Sequence, residues 1–450
     1  MIVEKIKSEG LAHLSYLIGD AKEAAVIDPR RDCETYVERA HALGLQITHI
    51  FETHRNEDLV SGAPALSEMT GAPVHHGPNP EDDIVYADTV RDGDSFRFGG
   101  MTLRVLETPG HTFDSVSYAI YDDAFGESAV GVFTGDALFI GDVGRTDFYP
   151  DRAREVAGLL YDSLQKIMAL GDQALVYPAH GAGSVCGSGM AAREFSSIGY
   201  ERRQNPKLAI ESREAFIEAK TAENHYIPPY FKLMEKLNSV GGAPVPRALE
   251  AGPAPSPEGI PEGARVIDVR DVTAFAGAHV PGALSLPEAM IPGFAGWFLS
   301  SDEPLFLVAS NMDEARKAMR HFARIGFDRI AGVDTGIVAR VAGGDAFEQI
   351  DTVDHETVAS RLEGGAPDWT LLDVRAIDEV EASHIPNSQH LYLGHLPERL
   401  GELDRQRHHT VMCGSGARAM IAAAYLKSQG FRTLDVFLGS MGAWQAHHES

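Results

Sequence analysis

The chain has 450 residues, too many for one ordinary hydrophobic core, and a length prior of roughly 150 residues per domain favours about three domains. Its formal net charge of -26 disfavours nucleic acid and anionic membrane surfaces as partners, because both would repel an acidic protein. The start of the chain has scattered charges and no apolar run as long as a signal peptide or a membrane span requires. We therefore expect a cytoplasmic protein with no nucleic-acid and no membrane partner.

The first half of the chain alternates short β-rich runs with helical stretches, which is typical of a layered α/β unit. The clearest runs are four predicted strands and one predicted helix: Ile47–Phe51, Leu103–Leu106, Val130–Phe133, Ala174–Tyr177 and Arg152–Met168. Residues 241–263 are rich in Gly, Pro and Ala, and this composition predicts an interdomain linker.

Apolar strands in this half end repeatedly in a side chain that is able to bind a metal. The four predicted ligand positions are His54, His111, Asp136 and His180. Adjacent glycines and prolines, such as Pro109 and Gly110, allow the sharp turns that bring distant imidazoles and carboxylates together. One such strand end is commonplace, whereas four of them predict a metal site at one edge of the fold.

These segments resemble the metallo-β-lactamase superfamily, whose usual first motif is T-H-x-H-x-D-H. Here the motif reads Thr53-His54-Arg55-Asn56-Glu57-Asp58-Leu59. Asn56 and Leu59 stand where the second and last histidines of the motif are expected, so each half of a two-zinc site lacks an imidazole. A dinuclear centre is therefore disfavoured.

The remaining set is His54, His111 and Asp136, two imidazoles and one carboxylate, as in mononuclear non-haem Fe(II) sites with open positions for substrate and O2. Zinc also accepts these ligands. Over residues 1–240 the chain resembles the persulfide dioxygenase branch of the superfamily, and this resemblance implies one Fe(II) per chain on these three residues. The segments 144–148 and 180–184 also resemble that branch. Asp58 and His180 are then expected to orient the ligands or to bind metal-bound water.

Further candidates for substrate binding lie in the same domain. Cys186 follows His180 by six residues and is interpreted either as a contact for sulfane sulfur or as a small buried hydrophobe. Arg202 and Arg203 offer guanidinium groups for the carboxylates of a thiol such as glutathione, although a solvated helix face explains them equally well. Cys33 has no catalytic neighbour in sequence and is interpreted as structural.

The second half of the chain repeats itself. VIDVRDVTAFAGAHVPGA, around Asp268, returns as LLDVRAIDEVEASHIPNS around Asp373, so two copies of one fold are predicted. In each copy a buried strand precedes a helix, and a second strand runs into another helix, as in a parallel sheet covered by helices.

The loop after the second strand of the last copy carries the strongest local motif after the metal set. Cys413 and Arg418 bracket an active loop of small residues, Gly414, Ser415, Gly416 and Ala417, at the start of a predicted helix. Inward-pointing N–H groups, the helix N-terminus and the arginine are expected to stabilise a thiolate at Cys413. The pattern C-x-x-G-x-R resembles the active loop of rhodaneses, which implies a sulfane sulfur carried as a persulfide on Cys413.

The middle copy lacks this cysteine, and its corresponding run is VASNMDEAR. A serine cannot hold a persulfide, and Asp313 and Glu314 would oppose an anion in the loop. We therefore expect a catalytically silent domain with a role in packing, spacing or subunit contact.

The predicted fold class is α/β: a metallo-β-lactamase αββα sandwich followed by two rhodanese-like α/β domains. The predicted ranges are residues 1–240 for the sandwich, 241–263 for the linker, 264–350 for the silent domain and 351–450 for the rhodanese with Cys413.

The resemblance implies an enzyme that oxidises a low-molecular-weight thiol persulfide, such as glutathione persulfide, with O2 to thiol and sulfite. Transfer of sulfur through Cys413 would interconvert sulfite and thiosulfate, which fits sulfide detoxification, and the fusion family implies a homo-oligomer. One alternative is a zinc-dependent thioester hydrolase of the glyoxalase II type, whose two-metal mechanism needs the histidines that Asn56 and Leu59 replace. Another is a non-oxidative sulfur carrier or scaffold.

Overall fold

The computed structural model describes residues 1–184, 187, 189–241, 259–365 and 368–448. The chain forms two compact units, each with two β-sheets. Most of the predicted linker lies outside the described residues, and the predicted domain boundaries stay predictions. In the described ranges, no helix combines the length and the apolar character needed to cross a membrane.

Two six-stranded sheets form the first unit. The strands of the first sheet, which follow one another in space as in sequence, are β1 (Ile2–Ser8), β2 (His13–Asp20), β3 (Glu23–Ile27), β4 (Gln46–Phe51), β5 (Val74–His76) and β6 (Asp88–Thr89). The second sheet is formed by β7 (Ser95–Phe98), β8 (Met101–Glu107), β9 (Val116–Asp122), β10 (Gly131–Gly135), β11 (Leu175–Pro178) and β12 (Ser196–Ser197). The helices are α1 (Glu34–Ala42), α2 (Ala63–Thr70), α3 (Ala153–Met168), α4 (Ile198–Gln204), α5 (Arg213–Thr221) and α6 (Phe231–Val240).

The two sheets pack face to face, and helices cover their outer faces. Alternation along β2 divides the side chains, since Tyr16 and Ile18 face the core between the sheets while Leu17 faces the helices α1 and α2. Leu160 and Leu164 of α3 pack on the outer face of the second sheet. Strands buried on both faces are continuously apolar, which explains the predicted β-rich runs. The layer order confirms the predicted αββα sandwich.

The strand directions explain why the predicted ligands meet. In the second sheet, β8 and β10 both run antiparallel to β9, and β10 runs parallel to β11. The carboxyl ends of β8, β10 and β11 therefore lie at one edge of this sheet. Three of the four predicted metal-binding residues follow these strand ends: His111, Asp136 and His180.

The second unit contains two parallel sheets, and each copy of the sequence repeat contributes one. The first, in the spatial order β14-β13-β15-β16, consists of β13 (Arg265–Asp268), β14 (Leu284–Ser285), β15 (Leu305–Val308) and β16 (Ile330–Asp334). The second, in the spatial order β17-β21-β20-β18-β19, consists of β17 (Asp351–Val353), β18 (Trp369–Asp373), β19 (Gln389–His390), β20 (His408–Met412) and β21 (Leu434–Phe437).

Helices flank both parallel sheets. They are α7 (Val272–Gly277), α8 (Ile291–Phe298), α9 (Met312–Arg324), α10 (Ile337–Ala342), α11 (His355–Glu363), α12 (Ile377–Ala382), α13 (Leu396–Arg399), α14 (Ala417–Ser428) and α15 (Ser440–His448). The helix α14 is buried on nearly all sides, and its Tyr425 packs against Phe298 of α8 with ring centroids 5.0 Å apart. Cys413 directly follows β20, an inner strand of its sheet, at the end where ligands of open α/β sheets bind.

Candidate metal centre and sulfur-transfer loop

Three predicted ligands lie together in the first unit. His54 follows β4 in the first sheet, while His111 and Asp136 follow β8 and β10 in the second. One ligand atom from each lies within 4.8 Å of the other two, and this is the one such group found among the described residues. Asp136 Oδ2 is 3.5 Å from His111 Nε2 and 3.8 Å from His54 Nε2. We refer to these three residues as the triad.

Hydrogen bonds set the tautomer of each triad imidazole. His111 Nδ1 lies 3.0 Å from the carbonyl oxygen of Arg145, which only accepts, so Nδ1 carries the proton. His54 Nδ1 lies 2.9 Å from Thr53 Oγ1, and the Thr53 hydroxyl donates to Asp28 Oδ2 at 2.9 Å. His54 Nδ1 is therefore also the donor. In both rings the Nε2 lone pair is left facing the cluster, as a metal ligand requires.

The triad fits a metal ion by the chemistry of its donors. His54 Nε2 and His111 Nε2 are buried and make no hydrogen bond within the described part of the chain. Buried polar atoms are nearly always satisfied, so exceptions require an explanation, such as an ion. Two imidazole nitrogens and a carboxylate suit a divalent transition metal with positions left open.

The electrostatics of the cluster also favour a cation. Burial alone would raise the pKa of Asp136, but the neighbouring His180 imidazole holds it well below its usual range. Burial alone would lower the pKa of His111, but the adjacent Glu57 and Asp136 carboxylates raise it. The carboxylates therefore make the site negative where the free Nε2 atoms converge.

His180 and Asp58 lie beside the triad rather than in it. His180 Nδ1 is 2.7 Å from Asp136 Oδ1, and His180 Nε2 is 3.0 Å from Asp58 Oδ2. Burial would lower the pKa of His180, but the two carboxylates raise it well above its usual value. The hydrogen bond from His180 Nδ1 orients the Asp136 carboxylate, while the Asp58 carboxylate faces the other ring nitrogen of His180.

The two positions that depart from the superfamily motif are buried in the same loop. Asn56 and Leu59 are 2% and 1% exposed. The Asn56 side chain donates to the carbonyl of His54 at 3.4 Å, while Asn238 of α6 donates to the backbone carbonyls of Asn56 and Leu59. Amide hydrogen bonds thus fix the loop at the two positions where the superfamily motif has histidine ligands.

The segment 144–148 supports the triad through close packing. A Cβ atom on Gly144 would lie 2.1 Å from the Asp136 carbonyl oxygen, so only glycine fits there. Arg145 binds Asp147 through two hydrogen bonds of 2.6 and 2.7 Å, which fixes the backbone that accepts from His111. The Phe148 ring meets the His111 ring edge to face at 5.2 Å.

Replacing Gly110 by alanine is expected to destabilise the first unit by about 3 kcal/mol and to lower its midpoint by roughly 10 °C. Gly110 has φ +142, and a Cβ atom would lie 2.4 Å from the backbone of Leu160 in α3. The control is Gly126→Ala, because Gly126 has φ +90 but no atom within 4 Å of the added Cβ. Thermal unfolding of both variants measures the difference. Equal losses would show that backbone strain, and not the clash beside His111, dominates.

Arg202, Arg203 and Cys33 do not belong to the triad. Arg202 and Arg203 both pair with Asp172, at 3.0 and 3.6 Å, which agrees with the solvated-helix interpretation. Cys186 lies outside the described residues. Cys33 is buried, and burial raises its pKa to about 12, so its thiol is unreactive at neutral pH.

The Cys413 loop in the second unit is held by its own backbone and by the start of α15. Cys413 is 1% exposed, and the N–H of Gly416 donates to its Sγ at 3.1 Å. The N–H of Cys413 donates to Ser440 Oγ at 3.0 Å, and the N–H groups of Met441 and Gly442 donate to the carbonyls of Cys413 and Gly414. Gly416 has φ +116, which favours glycine at the helix start.

Arg418 forms a bidentate ion pair that sequence reasoning missed. Its two terminal nitrogens donate to Glu379 of α12 at 2.6 and 2.7 Å. Burial would raise the pKa of Glu379, but Arg418 lowers it. One indication of this pair is present in the sequence, since Glu379 lies in the repeated segment, five positions before His384. Glu379 therefore fixes the direction of the guanidinium that Cys413 requires.

If the Cys413 loop transfers sulfur, as its resemblance to rhodanese loops implies, replacing Glu379 by alanine is expected to lower kcat/KM for this transfer on the order of tenfold, because Arg418 loses a charge-assisted anchor. The matched control is Glu381→Ala, an exposed carboxylate on the same helix. Transfer of sulfur from thiosulfate to cyanide measures both variants. A loss of equal size in the two would show a general effect of charge and not a role for this ion pair.

The middle loop departs from the active loop by more than the sequence suggested. Asp268 pairs with Val308 as Asp373 pairs with Met412, so the strand register places Ala309, and not a serine, at the position of Cys413. Glu314 then stands at the position of Arg418. The Glu314 carboxylate accepts a hydrogen bond from the N–H of Ser310 inside its own loop. The expectation of a serine at the cysteine position was wrong, while the opposing acidic charge is present.

Two family models match the chain. That of the metallo-beta-lactamase superfamily matches residues 9–180, and that of the rhodanese-like domain matches residues 354–447. The fusion of these two domains, predicted from the sequence, is confirmed.

Known proteins match from under half to about three quarters of the chain. The persulfide dioxygenase ETHE1 of Bos taurus is 31% identical over 50% of this chain and 76% of its own length. A hydroxyacylglutathione hydrolase of Rhizobium etli is 34% identical over 44% of this chain and 70% of its own length. A crystal structure of a metallo-beta-lactamase from Staphylococcus aureus matches with a TM-score of 0.67 and 29% identity, over 74% of this chain and 98% of that one. This chain belongs to the metallo-beta-lactamase superfamily and carries a rhodanese-like domain in its second half.

Proposed function

We propose that this protein is a non-haem iron persulfide dioxygenase that also transfers sulfane sulfur through Cys413. The observation that carries the proposal is the buried triad of two imidazoles and one carboxylate, beside two motif positions that offer no imidazole. Ferrous iron bound there would supply the activation of O2. The similarity to a persulfide dioxygenase supports this assignment. The proposed overall reaction converts a persulfide, O2 and water into a thiol and sulfite.

In the first unit, the residues of the site hold charge and exclude water. Asp136 remains ionised through its hydrogen bond with His180, and the triad side chains are at most 1% exposed. Water-excluded polar sites strengthen every electrostatic interaction within them. The site is therefore suited to bind a substrate persulfide as its anion next to the metal.

In the second unit, the Cys413 thiolate attacks the outer sulfur of a persulfide, a new S–S bond forms, and the carrier leaves as a thiol. Sulfite then attacks the outer sulfur on Cys413, which releases thiosulfate and restores the thiolate. The Gly416 N–H, 3.1 Å from Sγ, stabilises the thiolate that attacks and is restored in this cycle. One chain that carries both sites raises the local concentration of shared intermediates.

A thioester hydrolase is the second candidate, because a hydroxyacylglutathione hydrolase is also a relative. The observation against it is the absence of imidazoles at residues 56 and 59, together with a His180 ring paired on both nitrogens. A dinuclear site would require His180 to release at least one carboxylate.

The test is anaerobic purification followed by metal analysis and two assays on the whole chain. We expect one iron per chain and O2 uptake with glutathione persulfide. Bound zinc with hydrolysis of a glutathione thioester and no O2 uptake would establish the hydrolase. A chain without stoichiometric metal whose Cys413 still accepts sulfur would establish the sulfur carrier. A cytoplasmic location and a homo-oligomeric state stay predictions.

A further inference from the structure

Glu57 is a buried carboxylate at the metal site to which sequence reasoning gave no role. It lies in the loop after β4, three residues beyond His54, and its side chain is 1% exposed. Neither of its carboxylate oxygens accepts a hydrogen bond within the described part of the chain. A buried charge without hydrogen bonds is costly, and such groups in proteins are paired with a cation or bind a metal.

The position of Glu57 relates it to the triad. Its Oε2 lies 3.6 Å from His111 Nε2, the same nitrogen that faces Asp136. This distance is too long for a hydrogen bond, and His111 is its one ion-pair partner among the described residues. Glu57 is not part of the group whose ligand atoms all lie within 4.8 Å of one another. Its carboxylate therefore stands just outside the triad, on the side of His111.

The loop explains why a carboxylate is useful at this position. The neighbouring positions 56 and 59 provide an amide and a leucine, and Asp58 is already paired with His180. Glu57 is thus the one carboxylate of the loop 54–59 that remains available to a cation bound by the triad. A carboxylate next to a ligating imidazole increases the attraction for a divalent ion and accepts hydrogen bonds from groups bound to it.

We propose that Glu57 is a further positioning residue of the metal site, whose carboxylate adds negative charge and a hydrogen-bond acceptor beside His111 and so strengthens binding of one divalent cation. This inference rests on the metal site of the proposed function. It does not depend on iron or on O2 chemistry, because any divalent metal bound by the triad meets the same carboxylate.

The test is the affinity of metal-free protein for Co(II), followed by its visible absorption and by competition with a chelator. We expect Glu57→Ala to bind Co(II) about 10- to 100-fold more weakly than the wild type. Glu57→Gln is expected to fall between them, because its amide oxygen accepts hydrogen bonds but carries no charge. The matched control is Glu52→Gln, a buried glutamate whose oxygens are already bound by the hydroxyls of Ser61 and Tyr86. Its affinity is expected to stay within about threefold of the wild type.

Thermal unfolding gives a second readout that does not depend on activity. Without the Glu57 carboxylate, the rise in midpoint on addition of Co(II) is expected to be smaller than in the wild type, because the bound cation loses a nearby negative charge. If Glu57→Ala fails to fold, the near-isosteric Glu57→Gln decides the question by the same two measurements.

The outcomes separate this inference from the proposed function. A folded Glu57→Ala whose Co(II) affinity lies within about threefold of the wild type, with an unchanged metal-induced rise in midpoint, would overturn the role of Glu57 alone. If only Glu57→Gln folds, an affinity and a rise in midpoint equal to those of the wild type would overturn it. Absence of stoichiometric Co(II) binding by the wild type would instead contradict the metal site itself and, with it, both proposals.

Discussion

Replacing His111 by alanine is expected to abolish persulfide-dependent O2 uptake and to leave sulfurtransferase activity within about twofold of the wild type. His111 presents Nε2 to the cluster because the Arg145 carbonyl holds the proton on Nδ1. Without this ring, the site loses one nitrogen ligand, and the Asp136 and Glu57 carboxylates lose the imidazole that lies next to both of them. We expect metal affinity to fall by at least about 100-fold, because removal of a ligand should weaken binding more than removal of a residue that only supports a ligand. At limiting metal the variant should then hold far less than one ion per chain.

The control for this variant is another buried histidine that makes no contact with the triad. His75 is 7% exposed, stacks on Phe51 with ring centroids 5.0 Å apart, and packs at a tilt against Phe96 with ring centroids 4.5 Å apart. His75→Ala is expected to lower stability but to retain metal and O2 uptake. Iron quantification, an oxygen electrode and circular dichroism separate the two effects. O2 uptake that survives in a folded His111→Ala would rule out the triad as the oxidation site.

The sequence predicted the elements of the triad because strand ends are local features. His111 and Asp136 follow apolar runs that can only be strands, and parallel strands bring their carboxyl ends to the same edge. His54 was predicted from the same pattern, although it follows a strand of the other sheet. The packing of the two sheets, which periodicity alone does not define, brings His54 to the other two.

The residues that the sequence did not reveal depend on contacts between distant segments. Glu57 stands at an unspecified position of the motif T-H-x-H-x-D-H. Only its burial without hydrogen-bond partners identifies it as a candidate for the metal site. Glu379 precedes Arg418 by 39 residues and lies on a different helix, so the sequence pattern does not predict that the two side chains meet. The placement of Ala309 at the cysteine position required the strand register, because the two copies of the repeat differ in length between their strands.

Arg202 and Arg203 were given two interpretations from the sequence, carboxylate binding or a solvated helix face, and their ion pairs with Asp172 favour the second. Two neighbouring arginines suit carboxylate recognition, but Asp172 lies close enough in space to pair with both. Surface ion pairs of this kind contribute little to stability and are invisible to sequence patterns. These two arginines are therefore not assigned as an anchor for the thiol of the proposed persulfide substrate.

Replacing Cys413 by serine is expected to abolish sulfurtransferase activity and to leave O2 uptake within about twofold of the wild type. A serine oxygen fits the loop and accepts from the Gly416 N–H, so the fold is preserved, but it forms no persulfide at neutral pH. Mass spectrometry after incubation with thiosulfate is expected to show one added sulfur atom on the wild type and none on the variant. Cys33→Ser is the control, because a buried thiol with a pKa of about 12 takes no part in transfer.

The products of the oxidation distinguish one coupled enzyme from two independent activities. If sulfite made in the first unit is captured by sulfane sulfur on Cys413, the wild type releases thiosulfate from persulfide and O2, whereas Cys413→Ser releases sulfite. The variant should consume O2 at a rate within about twofold of the wild type, since the triad and Cys413 lie in different compact units. Loss of both activities in Cys413→Ser or in His111→Ala would contradict two separable sites. Equal thiosulfate from the variant and the wild type would contradict the role of Cys413 in capture.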